Sequence, residues 1–139
     1  MVYRYVIPCA PVTKKNHQRI VTNKRTGKPM VIQSPQYEDF EVYCAYFLQP
    51  RPQKPIETPV TVKCVYYMPT RRRVDTANLN AAIHDILVKY RILLDDNRDI
   101  IASTDGTRTY YDKKNPRVEI DIAPFEEEYE QWAKDNRRK

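Results

Sequence analysis

Nine consecutive residues near the middle of the chain alternate without interruption. Val60, Val62, Cys64, Tyr66 and Met68 are separated by Thr61, Lys63, Val65 and Tyr67, and Pro69 closes the run. A period of two is the signature of a strand with one buried face, and proline cannot donate to a continuing ladder. The period then changes. Leu79, Ile83, Ile86, Leu87 and Tyr90 follow i, i+4, i+7, i+8, i+11 spacing, which predicts an amphipathic helix over 76–90.

The flanking segments extend this pattern. Residues 2–7 alternate tyrosine with β-branched residues and read as a strand closed by Pro8 and Pro11. Residues 13–29 are polar, basic and irregular, a long loop around Thr26-Gly27-Lys28-Pro29, and loops of that length are usually functional or disordered. A short strand is expected at 30–33. Ser34-Pro35 then opens a helix with Tyr37, Phe40, Cys44, Phe47 and Leu48 on one face, ending before Pro50. Pro50, Pro52, Pro55 and Pro59 make 49–59 a stiff connector inside one domain spanning 1–139. Residues 99–111 read as a strand or hairpin and 117–123 as another strand, while Phe125, Tyr129, Trp132 and Ala133 mark a short acidic C-terminal helix. The order β, loop, α, β, α, β, β, α predicts a single α+β domain, a mixed sheet flanked by about three helices.

At 139 residues, 41% hydrophobic and 30% charged, the chain has the composition of a soluble globular domain. No apolar run approaches the roughly 18 residues of a membrane span, and no signal peptide opens the sequence. Cys9, Cys44 and Cys64 are odd in number and lie in apolar patterns, so reduced core thiols and a cytoplasmic setting are expected. His17 and His84 lack ligand-spaced partners, which argues against zinc. The net charge is +6, yet residues 1–37 contain no acid, and six cations fall between Lys14 and Lys28. A basic surface of that kind suits a polyanion, and the bland alternative is a solvated face.

Chemistry concentrates in two places. Arg71-Arg72-Arg73-Val74-Asp75 runs into the second helix, and Leu94-Asp95-Asp96-Asn97 forms a second acidic knot. Cations hold phosphates and clustered carboxylates hold divalent metals, the pairing that metal-dependent cleavage of a phosphodiester needs. Asp75 is also a favoured helix N-cap, which would partly occupy its oxygens. A helix over 76–91 carries the chain about 24 Å from Asp75, and five extended residues span roughly 17 Å. If 92–94 pack back along the helix, Asp95 and Asp96 return toward Asp75, with one of the two aimed at the site. Asn78, Ala82, Asp85 and Lys89 share a stripe, so Asp85 is either a further carboxylate of the site or a surface partner of Lys89. Ala81 and Ala82 leave room beside these groups. Glu119 and Asp121 alternate with apolar residues as the wet face of a strand, and the acids at 126–128 and 130 suit a helix start.

On these residues the chain resembles the RusA family of Holliday-junction resolvases. The similarity is dense from Met68 to Ile101: Tyr67-Met68-Pro69, the arginine run, Asp75 before Asn78-Leu79, an Ala-rich helix with Asp85, then Leu94-Asp95-Asp96. The first strand, Lys14-Lys15-Asn16 and Ser34-Pro35-Gln36-Tyr37 agree with it too. The resemblance implies a homodimeric crossover junction endonuclease that uses Mg²⁺ or Mn²⁺ on three aspartates. The first maps onto Asp75 and the third onto Asp96; the second falls on Ala77, and a helix lysine of the family falls on Ala81. Asp85 or Asp95 is then expected to supply the missing oxygen, with Asp75, Asp96, Asp85 and Asn78 as the metal set. Arg71, Arg72 and Arg73 are expected to clamp phosphates, and Lys14, Lys15, Asn16, Arg19, Lys24, Arg25 and Lys28 to grip the arms of a four-way junction. Neither a membrane nor a small-molecule cofactor is expected. The competing expectations are a junction-binding protein that does not cut, a disabled variant, and an RNA-binding module using some of the eleven tyrosines.

Overall fold

The alternating run forms the strand that orders the rest of the sheet. The computed structural model describes residues 2–14, 19–32, 35–125 and 134–136. Its elements are β1 (Tyr3–Ile7), β2 (Arg19–Thr22), β3 (Pro29–Ile32), α1 (Pro35–Ala45), β4 (Val60–Met68), α2 (Thr76–Lys89), β5 (Ile101–Ser103), β6 (Arg108–Tyr111) and β7 (Arg117–Pro124). Residues 134–136 are also helical. One edge of β4 pairs antiparallel with β7, which in turn pairs antiparallel with β1. The other edge pairs parallel with β5 and then β6. The sheet is therefore mixed, and the α+β expectation holds.

Register puts the apolar residues of three strands in rows. Tyr5 and Cys64 both face Ile120, and Ile7 and Tyr66 both face Val118; all are buried. This face carries α1 through Tyr37, Phe40 and Cys44, and α2 through Leu79, Ala82, Ile83, Ile86 and Leu87, in one core cluster. The opposite face is wetter, with Arg4 donating to Asp121 at 2.7 Å and Arg117 to Glu119 at 3.0 Å. Burial raises the Cys9 thiol to about 11 and Cys64 to about 12, so these thiols stay protonated at neutral pH.

The end of α2 decides where the acidic knot goes. Arg91 takes a left-handed conformation, φ 63°. Its N–H donates to Val88 O and that of Ile92 to Leu87 O, at 3.0 and 2.9 Å, the paired bonds of a Schellman cap. Ile92 and Leu87 are both fully buried, supplying the apolar contact that accompanies this cap. The chain then reverses, and Ile92–Leu94 brackets Ile56 through two 2.9 Å backbone bonds.

Two expectations change. The strand expected at 30–33 is β3, but the basic segment 13–29 is not one irregular loop, because β2 lies inside it and pairs antiparallel with β3 in a hairpin. Residues 99–111 are not a hairpin: β5 and β6 both run parallel to β4, separated by a turn through Gly106, φ 88°. Thr107 Oγ1 fills the break in the ladder by accepting from Cys64 N at 3.2 Å. The helix expected across 125–133 lies almost wholly outside the described residues.

A β-carbon disfavours the left-handed conformation that Arg91 adopts, whereas glycine tolerates it. Arg91→Gly should therefore raise the unfolding free energy by about 0.5–1 kcal/mol. A higher urea midpoint at unchanged slope checks this.

Candidate active site and nucleic-acid interface

Asp75 occupies the N-cap of α2, with φ −84° and ψ 115°. Its Oδ1 accepts from Ala77 N at 2.9 Å, and its carbonyl accepts from Asn78 N and Leu79 N. The carboxylate stays exposed at the positive end of the helix dipole, so capping and ligand binding are compatible. Arg71, Arg72 and Arg73 are exposed just ahead of it. The Arg71 guanidinium lies 4.5 Å from the centre of the Tyr111 ring. Tyr111 is placed by the β4–β6 ladder opposite Met68, and Asp112 N prolongs that ladder to Met68 O at 2.8 Å. Thr76 Oγ1 and Thr109 Oγ1 share a 2.8 Å hydrogen bond, tying the start of α2 to the same strand.

The second knot is equally fixed. Asp96 N donates to Asp95 Oδ1 at 2.7 Å, and Asn97 Oδ1 accepts from Asp99 N at 2.9 Å. Asn97 O accepts from Ile100 N and Ile101 N. Local desolvation, followed by the contact with Asp95 and the charges of Asp85 and Asp95, raises the Asp96 carboxyl above the usual range. The knot thus returns alongside α2, close enough for the charge of Asp85 to be felt at Asp96. Asp85 lies ten positions beyond Asp75, about 15 Å of helix.

Asp85 is not paired with Lys89, which reaches instead to Glu41 of α1. Its partner is Lys14, Nζ to Oδ2 at 2.7 Å, and the same ammonium lies 5.7 Å from the Tyr37 ring centre. Lys14 therefore belongs with the acids rather than with the free cations of the loop. Lys15 and Asn16 lie outside the described residues. Arg19 is in β2, while Lys24, Arg25 and Lys28 are exposed in the hairpin turn. Asn23 organises that turn, its Oδ1 accepting from Arg25 N and its carbonyl from Gly27 N, both at 2.8 Å.

Asn78 is half-buried. Ala77 and Ala81, four residues apart and so on one helical face, are both exposed. Ala82 leaves no room at the site, being 1% exposed within the core. Glu119 and Asp121 are occupied by Arg117 and Arg4, as expected of a wet strand face. Among the described residues no three His, Cys, Asp or Glu side chains converge as a metal-holding group. The tyrosine beneath Arg71 and the lysine on Asp85 carried no sequence signal, since each partner is distant in the chain.

The family model described as Endodeoxyribonuclease RusA matches residues 8–123. No curated protein matches the chain.

Two predictions follow from the helix itself. Asp75→Ala should cost about 1 kcal/mol through loss of the cap, whereas Asp75→Asn should stay within a few tenths, because asparagine caps equally well; denaturant midpoints distinguish them. His84 on α2 is held below its ordinary value near 6.5 by burial, against the opposing charge of Asp85. Below pH 6.5 the unfolded chain therefore takes up the proton first, and stability should fall as pH drops toward the folded value. His84→Gln should flatten that fall when unfolding is compared at pH 7.5 and pH 5.

Proposed function

Because this chain belongs to the RusA endodeoxyribonuclease family, whose members are nucleases acting at DNA junctions, we propose that it is a homodimeric, metal-dependent resolvase that cuts four-way junctions by paired nicks. The observation that carries the reading is the exposed Asp75 carboxylate at the N-cap of α2, directly after three exposed arginines. Asp85 lies on the same helix, and its charge reaches Asp96 in the knot that follows the helix.

Resolvases of this family generally depend on a divalent metal. The donors fit one in chemistry: they are hard oxygens, and Asp96, raised by desolvation, by its contact with Asp95 and by the charges of Asp85 and Asp95, would be favoured in its charged form by a cation. Asp96 and Asp95 would hold Mg²⁺ or Mn²⁺ together with either Asp85 or, at the start of α2, Asp75 and Asn78, since about 15 Å of helix keeps Asp75 and Asp85 from sharing one ion. A bound metal supplies positive charge against the scissile phosphate and acidifies water. Arg71, Arg72 and Arg73 bind phosphates beside the cut, and Tyr111 holds Arg71 in place by stacking. Lys14 fixes the rotamer of Asp85, and the hairpin cations grip an arm through its backbone. A two-fold dimer presents one such site to each of two opposed strands of a two-fold junction. The compartment is the one that holds DNA, the cytoplasm.

A second reading, a junction binder that does not cut, is favoured by Ala77 and Ala81, which carry no functional group on the exposed face. Nicking of a synthetic four-way junction with Mg²⁺ or Mn²⁺ separates the two. Asp75→Asn and Asp96→Asn should each slow cutting roughly a hundredfold or more, the equivalent of a few kcal/mol at the transition state, while junction binding persists. A wild-type chain that binds junctions and never nicks them would establish the second reading. A large gain in Ala77→Asp would identify a disabled site.

A further inference from the structure

At the far end of α2 lies a cleft of about 310 Å³ that includes Arg51, Lys54 and Arg91 and no acidic residue in its lining. Among the described residues none of these three cations has an ion pair. Arg51 is fixed. Its Nε donates to Leu48 O at 3.0 Å and its Nη2 to Ala45 O at 3.1 Å, and the guanidinium stacks 5.1 Å from the Tyr90 ring centre. Two of its five N–H groups are spent on the end of α1, leaving three for a ligand. Pro52 and Pro55 stiffen the wall. Arg91 is the third cation, and it stands in the left-handed position after a helix where glycine is the residue without strain. A residue kept against local preference points to a use elsewhere.

We infer that this cleft binds a backbone phosphate of the same branched DNA, at a second anchoring point remote from the cut. The inference rests on the proposed junction binding. Three unpaired cations held together repel one another, and an oxyanion removes that repulsion while accepting from the arginine fork. The fourteen residues of α2 separate the cleft from Asp75. That is about 21 Å, roughly six phosphate spacings along one strand. One end of α2 then meets the strand to be cut and the other holds the same strand or its neighbour further out.

Arg91→Gly tests this, because strain and charge move in opposite directions. Binding of a fixed four-way junction is measured in EDTA, against salt, for wild type, Arg91→Gly and Lys54→Gln/Arg91→Gly. The double variant should bind roughly tenfold more weakly at about 0.1 M salt, and its log–log salt slope should be shallower by about two. Arg91→Gly alone should show about half that slope change while unfolding at higher, not lower, urea concentration. Unchanged affinity and slope would overturn the cleft assignment and leave the nuclease reading standing. Failure of the wild type to bind branched DNA at all would instead remove the reading beneath it. If inorganic phosphate stabilises wild type but not the double variant, and junction binding is equal, the cleft holds a free anion and the inference is wrong.

Discussion

The ladder of β4 is the constraint from which the site follows. Its antiparallel edge is closed by β7 over eight residue pairs, from Val60↔Pro124 to Tyr67↔Arg117. Its other edge takes β5 and β6 in parallel, and a parallel return needs a crossover. Helix α2 is that crossover. Its start is fixed where β4 ends, next to the arginine run, and its end must lead back to the beginning of β4, where β5 pairs. Asp75 and the acidic knot consequently lie along the same helix for a topological reason. The side chains that refine the site use the same ladder. Thr109 and Tyr111 are positioned by pairing with β4, and from there they hold Thr76 and Arg71.

Charge is distributed along α2 rather than gathered at one point. The N-terminal end combines arginines, the helix dipole and one capping carboxylate, a balance that favours phosphate. The middle carries Asp85, paired with Lys14, and its charge reaches Asp96 beside Asp95. The C-terminal end is basic again through Arg51, Lys54 and Arg91. An acidic centre between two basic ends suits a nuclease that must hold a polyanion and still admit a metal to one phosphate of it. Exposed cations contribute mainly to salt-dependent affinity, whereas on the proposed reading the acids would act at the bond that is cut.

How much of this could be read from the sequence depends on where each signal is stored. Residues 60–68 and 76–90 were legible because burial on one face writes its period into the chain, and the structure places β4 and α2 over nearly those bounds. The return of 92–94 was legible as chain length, but not its destination. The left-handed turn at Arg91 sets the direction, and arginine gives no hint of it. Of the hairpin, the strand at 30–33 was legible and its partner β2 inside 13–29 was not, because its pairing with β3 leaves no mark in a four-residue basic stretch. Partnership was the least legible. Asp85 has a lysine four residues away at ideal helical spacing, yet tertiary packing gives Lys89 to Glu41 and brings in Lys14 from 71 residues away. Ala82 looked like a gap beside the acids for the same reason. A small residue in a sequence marks either an open site or a close approach of packed elements, and here the core claimed it.

Ala77 and Ala81 have to be weighed by what they do to both balances on α2. Alanine is the strongest helix former, so neither position weakens the helix, and Ala77 still gives its N–H to the capping carboxylate. The loss is electrostatic. A carboxylate at 77 would stand in the first turn beside Asp75, where it would neutralise part of the positive end that the arginines build. A lysine at 81 would restore some of it one turn further on. With both absent, the proposed cutting region lacks one carboxylate and one ammonium, so its net charge is unchanged while it has one fewer oxygen for a cation. On the proposed reading, affinity for junctions and the rate of cutting would be set by separate residues, so tight binding to DNA would not by itself report catalytic competence.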